Sequence, residues 1–160
     1  MKHYQISKYG VHSFEEWTSI TEIGDVFNDI ELTREEYLRV ENNYLTFIEK
    51  IIDCYPQSYQ IKSIMDLRNM NEFSDISFNL LMNCIYVREG EYVDKEKILA
   101  ISQLCLREMM GVRLESDSGS YITFGDDFYL RVGISEELNL SSVVEVEDIY
   151  IREMKFDPHS

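Results

Sequence analysis

The sequence predicts an α+β fold, with helices mainly in residues 33–110 and an antiparallel sheet formed mainly by residues 111–155, joined by an N-terminal strand. Three observations predict it. Apolar residues recur at helical spacing over 34–54, a breaker-free stretch runs over 95–110, and short alternating segments punctuated by turn residues follow Gly111. Such a run of helices followed by strands reads as helices laid on one face of a sheet. The 160 residues suit one domain, 1–160, and are enough to bury a core without disulfides or a metal.

Each element has its own reason. HYQISKY, residues 3–9, reads as a strand with Tyr4, Ile6 and Lys8 on one face. Thr21 is placed to cap a short helix over Glu22–Phe27. Thr33 and Glu36 form a capping box ahead of the helix 34–54. In that helix Tyr37, Leu38, Tyr44, Leu45, Ile48, Ile51 and Ile52 make the apolar stripe, Glu41 and Glu49 lie on the surface, and Pro56 stops it. Residues 58–69 start as a strand and end in a short helix, and residues 75–87 fit either helix or strand. Asp94 caps the helix 95–110 and Gly111 ends it. Strands follow at 112–116, 121–125 and 126–134, the first two parted by the turn cluster 117–120. Residues 143–154 alternate apolar and charged, with a shift near Asp148 that marks a bulge or bend.

Charge is the outlier in composition. Thirty acidic against 15 basic residues give a formal charge of −15 and a pI near 4.5. That argues against a general nucleic-acid binder, which needs a Lys/Arg surface, and against docking on anionic lipid. It favours a basic protein partner. The last 50 residues carry eleven acids and four bases, so they are about twice as acidic per residue as the first 110.

Motifs for chemistry are missing. The histidines are His3, His12 and His159, so a Ser-His-Asp, Cys-His or His-based zinc site would need a residue near a terminus. There is no GxxxxGK[ST] and no GxGxxG. The pairs Glu15-Glu16, Asp126-Asp127 and Glu136-Glu137 are adjacent residues, which on a strand face opposite ways. Asp117-Ser118-Gly119-Ser120 lacks the register of a calcium loop. Cys54, Cys84 and Cys105 sit among apolar residues with no CxxC pair, which reads as three reduced core thiols. MKHYQI has no apolar signal core, and no apolar run approaches the roughly 20 residues of a membrane span. The expectation is a cytoplasmic, non-enzymatic protein with no metal and no cofactor.

Carboxylates mixed with tyrosines can imitate the phosphates and stacked bases that a nuclease expects. The partner-binding candidates in the acidic third are Glu115, Asp117, Tyr121, Asp126, Asp127, Tyr129, Glu145 and Glu147. The acids would pair with Lys, Arg or His of a partner, and the tyrosines would fill its nucleotide pockets. The surface of helix 34–54, through Glu35, Arg39 and Glu49, is the reserve.

Five stretches taken in order carry a family likeness: YQISKY (4–9), EWTSITEIG (16–24), LTREEYLRVENNY (32–44), LRE (106–108) and YITFGDDFYL (121–130). Together they resemble small acidic bacterial immunity proteins of polymorphic and contact-dependent growth inhibition toxins. Gly111-Val112-Arg113 departs from the pattern, lacking an aromatic-rich segment after LRE. The resemblance implies a protein of the producing cell's cytoplasm that catalyses nothing. It would bind the C-terminal domain of a cognate toxin, usually a nuclease, one-to-one and block its active site, with no direct contact to nucleic acid or membrane. Two other classes share the composition: an acidic adaptor of bacterial or phage origin, and a small-molecule enzyme with an acidic cleft.

Overall fold

The computed structural model describes residues 1–9, 17–65, 87–125, 128–135, 137 and 139–156. Its main sheet has seven strands: β1 (Lys2–Lys8), β4 (Tyr59–Met65), β5 (Tyr92–Val93), β6 (Gly111–Ser116), β7 (Tyr121–Phe124), β8 (Leu130–Ile134) and β9 (Ile149–Met154). Their order is β5-β4-β6-β7-β8-β1-β9, and every pairing is antiparallel. A separate two-stranded ribbon pairs β2 (Val26–Phe27) with β3 (Ile30–Glu31). The helices are α1 (Arg34–Cys54), α2 (Lys95–Leu106) and the single turn α3 (Leu140–Val143). The fold is therefore α+β, and four of the seven main strands come from residues 111–155.

The core follows from the two periodicities. On α1, Tyr37, Val40, Tyr44, Phe47, Ile48, Ile51 and Ile52 are buried at three- and four-residue intervals. On the sheet, Tyr4 and Ile6 of β1 lie opposite Val132 and Leu130 of β8, and Ile122 lies between Val132 and Leu114. These residues form one cluster with Ile98, Ile101 and Leu104 of α2. The α1 start is the expected capping box in part, since Thr33 Oγ1 accepts from Glu36 N at 3.1 Å. Asp94 caps α2 by accepting from Lys97 N at 2.8 Å.

Several elements depart from the sequence expectation. The helix expected over Glu22–Phe27 is replaced by a 3₁₀ turn, Ile20–Glu22, capped by Ser19 rather than Thr21. Gly24, at φ +99°, ends that turn, and Asn28 and Asp29 fold the next residues into the β2–β3 hairpin. The α2 helix stops at Leu106, short of 110. Glu108 turns left-handed at φ 60°, and Met109 N returns to Leu104 O at 3.0 Å, which closes the helix end before Gly111. The strand expected over 143–154 is present only from Ile149. Asn139 caps the α3 turn that buries Leu140 and Val144, and the chain then bends at Asp148, φ 57°.

Glu41, expected on the surface, is buried. Cys54 is exposed rather than in the core, whereas Cys105 is buried. Residues 66–69 and 75–86, together with Cys84, His12 and His159, lie outside the described residues.

Candidate functional site

Among the described residues, the predicted partner-binding carboxylates fall at two ends of the sheet. Glu115 is half-buried on β6 and accepts from Arg113 Nε at 3.2 Å. Asp117, exposed in the β6–β7 turn, accepts from the Tyr92 hydroxyl at 3.1 Å, and that bond pushes the Tyr92 phenol up. Tyr121 is close in sequence but does not lie on the surface. Its ring sits over Gly133, directly across on β8, where a built Cβ would come within 2.2 Å of it. The Arg113 guanidinium lies 4.1 Å from the ring centroid, and the Tyr121 hydroxyl is 2.8 Å from His3 Nδ1. Tyr121 thus covers a glycine inside the sheet and is not offered to a partner's pocket.

Glu145 and Glu147 lie at the opposite end, both exposed in the segment before β9. With β6 and β9 four strand positions apart, the two groups are separated by about 20 Å across the sheet as well as along the strands. Tyr129 is half-buried, and its carbonyl accepts from Gly125 N at 2.8 Å. Asp126 and Asp127 lie outside the described residues.

The structure instead joins Glu145 and Glu147 to the α1 surface. Lys50 Nζ donates to the Glu145 carbonyl at 2.6 Å. Asp148 accepts from Arg39 at 2.7 Å, and Arg39 also donates to both oxygens of Glu36, at 2.9 and 2.7 Å. Glu36 in turn accepts from the Tyr9 hydroxyl at 3.0 Å, which accepts from Trp17 Nε1 at 2.9 Å. Arginine bonding holds the Glu36 carboxyl below its usual range. Burial, with help from Glu36, pushes the Tyr9 phenol up to about 12. Beneath this relay Lys8 is buried with Nζ 4.7 Å from the Trp17 ring and 5.7 Å from that of Phe128. Glu35 and Glu49 are exposed on α1, and Glu49 lies 3.6 Å from Lys95.

The β2–β3 hairpin extends the same acidic end, because Leu32 and the capping Thr33 lead straight from it into α1. Asp25, Asp29 and Glu31 are exposed there. Composition pointed to the last 50 residues and missed this segment. The signal was present, since Asn28-Asp29 between the apolar pair Val26-Phe27 and Ile30 can form a two-residue hairpin turn. Asp25, Asp29, Glu31, Glu35, Glu145 and Glu147 form no ion pair with a described residue.

This arrangement is suited to recognition. Solvated carboxylates on a rigid frame can exchange water for a partner's guanidinium or ammonium groups. Among the described residues, no group of three or more His, Cys, Asp or Glu is placed to hold a metal ion. No described helix is long and apolar enough to cross a membrane. No protein-family model, no curated protein and no solved structure matches the chain.

Proposed function

We propose that this chain is a cytoplasmic immunity protein that binds the C-terminal domain of a cognate bacterial toxin, a basic nuclease, one-to-one and covers its active site. One observation carries the reading. The carboxylates of Asp25, Asp29, Glu31, Glu35, Glu145 and Glu147 are exposed, form no ion pair with a described residue, and belong to a chain of formal charge −15. A nuclease cleft is lined with Lys and Arg to hold phosphate. A complementary acidic surface is drawn to it quickly and then excludes the substrate. The likeness of the five stretches to immunity proteins supports the same reading.

The test is co-expression. The last 150 or so codons of the reading frame immediately upstream, about one domain, are tagged and expressed with and without this chain. The expected result is growth arrest by that domain alone, rescue by this chain, and co-purification as a one-to-one complex. A non-toxic domain that forms no complex overturns the proposal.

A further inference from the structure

We infer that the β2–β3 hairpin, residues 23–31, is a finger that inserts into a cleft of a protein partner, a cleft with apolar walls and a Lys/Arg rim. The inference rests on the proposed inhibition of a basic nuclease and names the segment that enters it. The backbone closes the hairpin at both its turn and its base. Asn28 and Asp29 both hold left-handed conformations, φ 52° and 63°, as a two-residue hairpin loop requires. Gly24 N bonds Leu32 O and Leu32 N bonds Asp25 O, each at 2.8 Å, which closes the base of the ribbon. Buried Leu32 and half-buried Phe27 pin it to the core.

Beyond those anchors the ribbon presents apolar side chains to water. Ile30 is 71% exposed, Val26 64% and Ile23 36%. Cross-strand partners share a face. Ile30 therefore shares the face of Phe27, and Val26 shares the opposite face with Glu31. A flat partner touches one face of such a ribbon, whereas a cleft touches both. Of the eight large hydrophobics exposed among the described residues, these three fall within eight consecutive positions. Asp25, Asp29 and Glu31 surround them without an ion pair to a described residue. Apolar faces with acidic edges complement a cleft that stacks bases between apolar walls and holds phosphates at its rim.

Three variants test it against the upstream-encoded toxin domain. Val26→Ser with Ile30→Ser removes the apolar faces. Asp25→Asn with Asp29→Asn and Glu31→Gln removes the charge. Glu89→Gln with Glu96→Gln, two exposed carboxylates on either side of β5 at the far edge of the sheet, serves as the control. The apolar variant is expected to weaken Kd by roughly 10- to 100-fold, through faster dissociation. The charge variant is expected to slow association and flatten its salt dependence. The control is expected to bind like the parent, and thermal melts to match throughout. Binding of both hairpin variants within about twofold of the parent overturns the finger and leaves the proposed function standing.

If the parent chain binds no such domain, the proposed function falls, and a second measurement decides the finger. The ¹⁵N-labelled chain is titrated with a cationic peptide of alternating Lys and Leu. Shifts confined to residues 22–38 and lost in the apolar variant support the inference. Shifts elsewhere, or none, overturn it. Self-association of the chain alone that the apolar variant abolishes also overturns it, because the occupant is then a second copy.

Discussion

Two carboxylates of α1, five residues apart, both meet arginine, and their surroundings give them opposite roles. Glu41 is inside. Its side chain is 2% exposed and that of its partner Arg107 is 7% exposed, with three bonds of 2.9 to 3.2 Å between them. Gln103 Nε2 adds a fourth bond at 2.6 Å, and burial together with the Glu41 charge holds the Tyr37 phenol well above its usual range. Glu36 is outside. Its side chain is 34% exposed, that of Arg39 42% and that of Asp148 44%. The buried pair aligns α1 against the end of α2, and removing one member strands a charge where water cannot reach it. The surface network ties α1 to the segment before β9, yet every group in it keeps water as an alternative partner. Packing a carboxylate makes it part of the frame, and leaving it solvated keeps it available to another molecule.

The largest effect is expected inside. Arg107→Met leaves the Glu41 carboxylate buried without its partner and should destabilise the chain by about 3–5 kcal/mol in urea unfolding. Adding Glu41→Leu should recover most of that loss, since a well-packed apolar pair can replace a buried ion pair. A single variant within about 1 kcal/mol of the parent would show Glu41 to be no more enclosed than Glu36. Gln103→Met removes one bond to a charged acceptor and should cost about 1.5–3 kcal/mol in the same measurement. Arg39→Ala, on the outside, should cost less than about 1 kcal/mol, and the difference should fade in roughly 1 M salt.

The pH profile separates the two sites most finely. Glu36 is lowered in the folded chain, chiefly by Arg39. Its contribution is therefore present above the ordinary carboxylate range and lost as pH falls through the lowered value. Tyr9 is raised from 10.0 to about 12, so its contribution is complete below pH 10.0 and lost as pH rises toward 12. Stability measured across pH should decline on both limbs. Arg39→Ala should shrink the acid limb and leave most of the alkaline one, because burial is the main cause at Tyr9. An acid limb that Arg39→Ala leaves unchanged would mean that Glu36 draws nothing from this network.

The two carboxylates also mark how far the candidate site was legible. Thr33, Glu36 and the stripe from Tyr37 to Ile52 announced α1 to the residue, because capping and helical periodicity act over one or two turns. The same stripe left Glu41 on the surface, since its burial depends on Arg107, 66 positions away. Tyr121 was equally misplaced by local reading. Its exposure is decided by Gly133 and His3, which the strand order brings beside it from distant parts of the chain. Glu145 and Glu147 were grouped with Glu115 and Asp117 by composition. The insertion of β1 between β8 and β9 moves them to opposite sides of the sheet.

What the residues dictate locally is the α+β class, the α1 boundaries, the start of α2 and the net charge of −15. Each depends on neighbours within a few positions or on a sum over the chain, and neither needs the fold to be known. Tertiary structure decided which carboxylates face water, which tyrosines are enclosed, and that the hairpin carries Val26 and Ile30 outward while Phe27 and Leu32 hold it down. The reason is physical. Burial is a property of pairs of surfaces, and the surfaces that meet here come from strands and helices far apart in sequence.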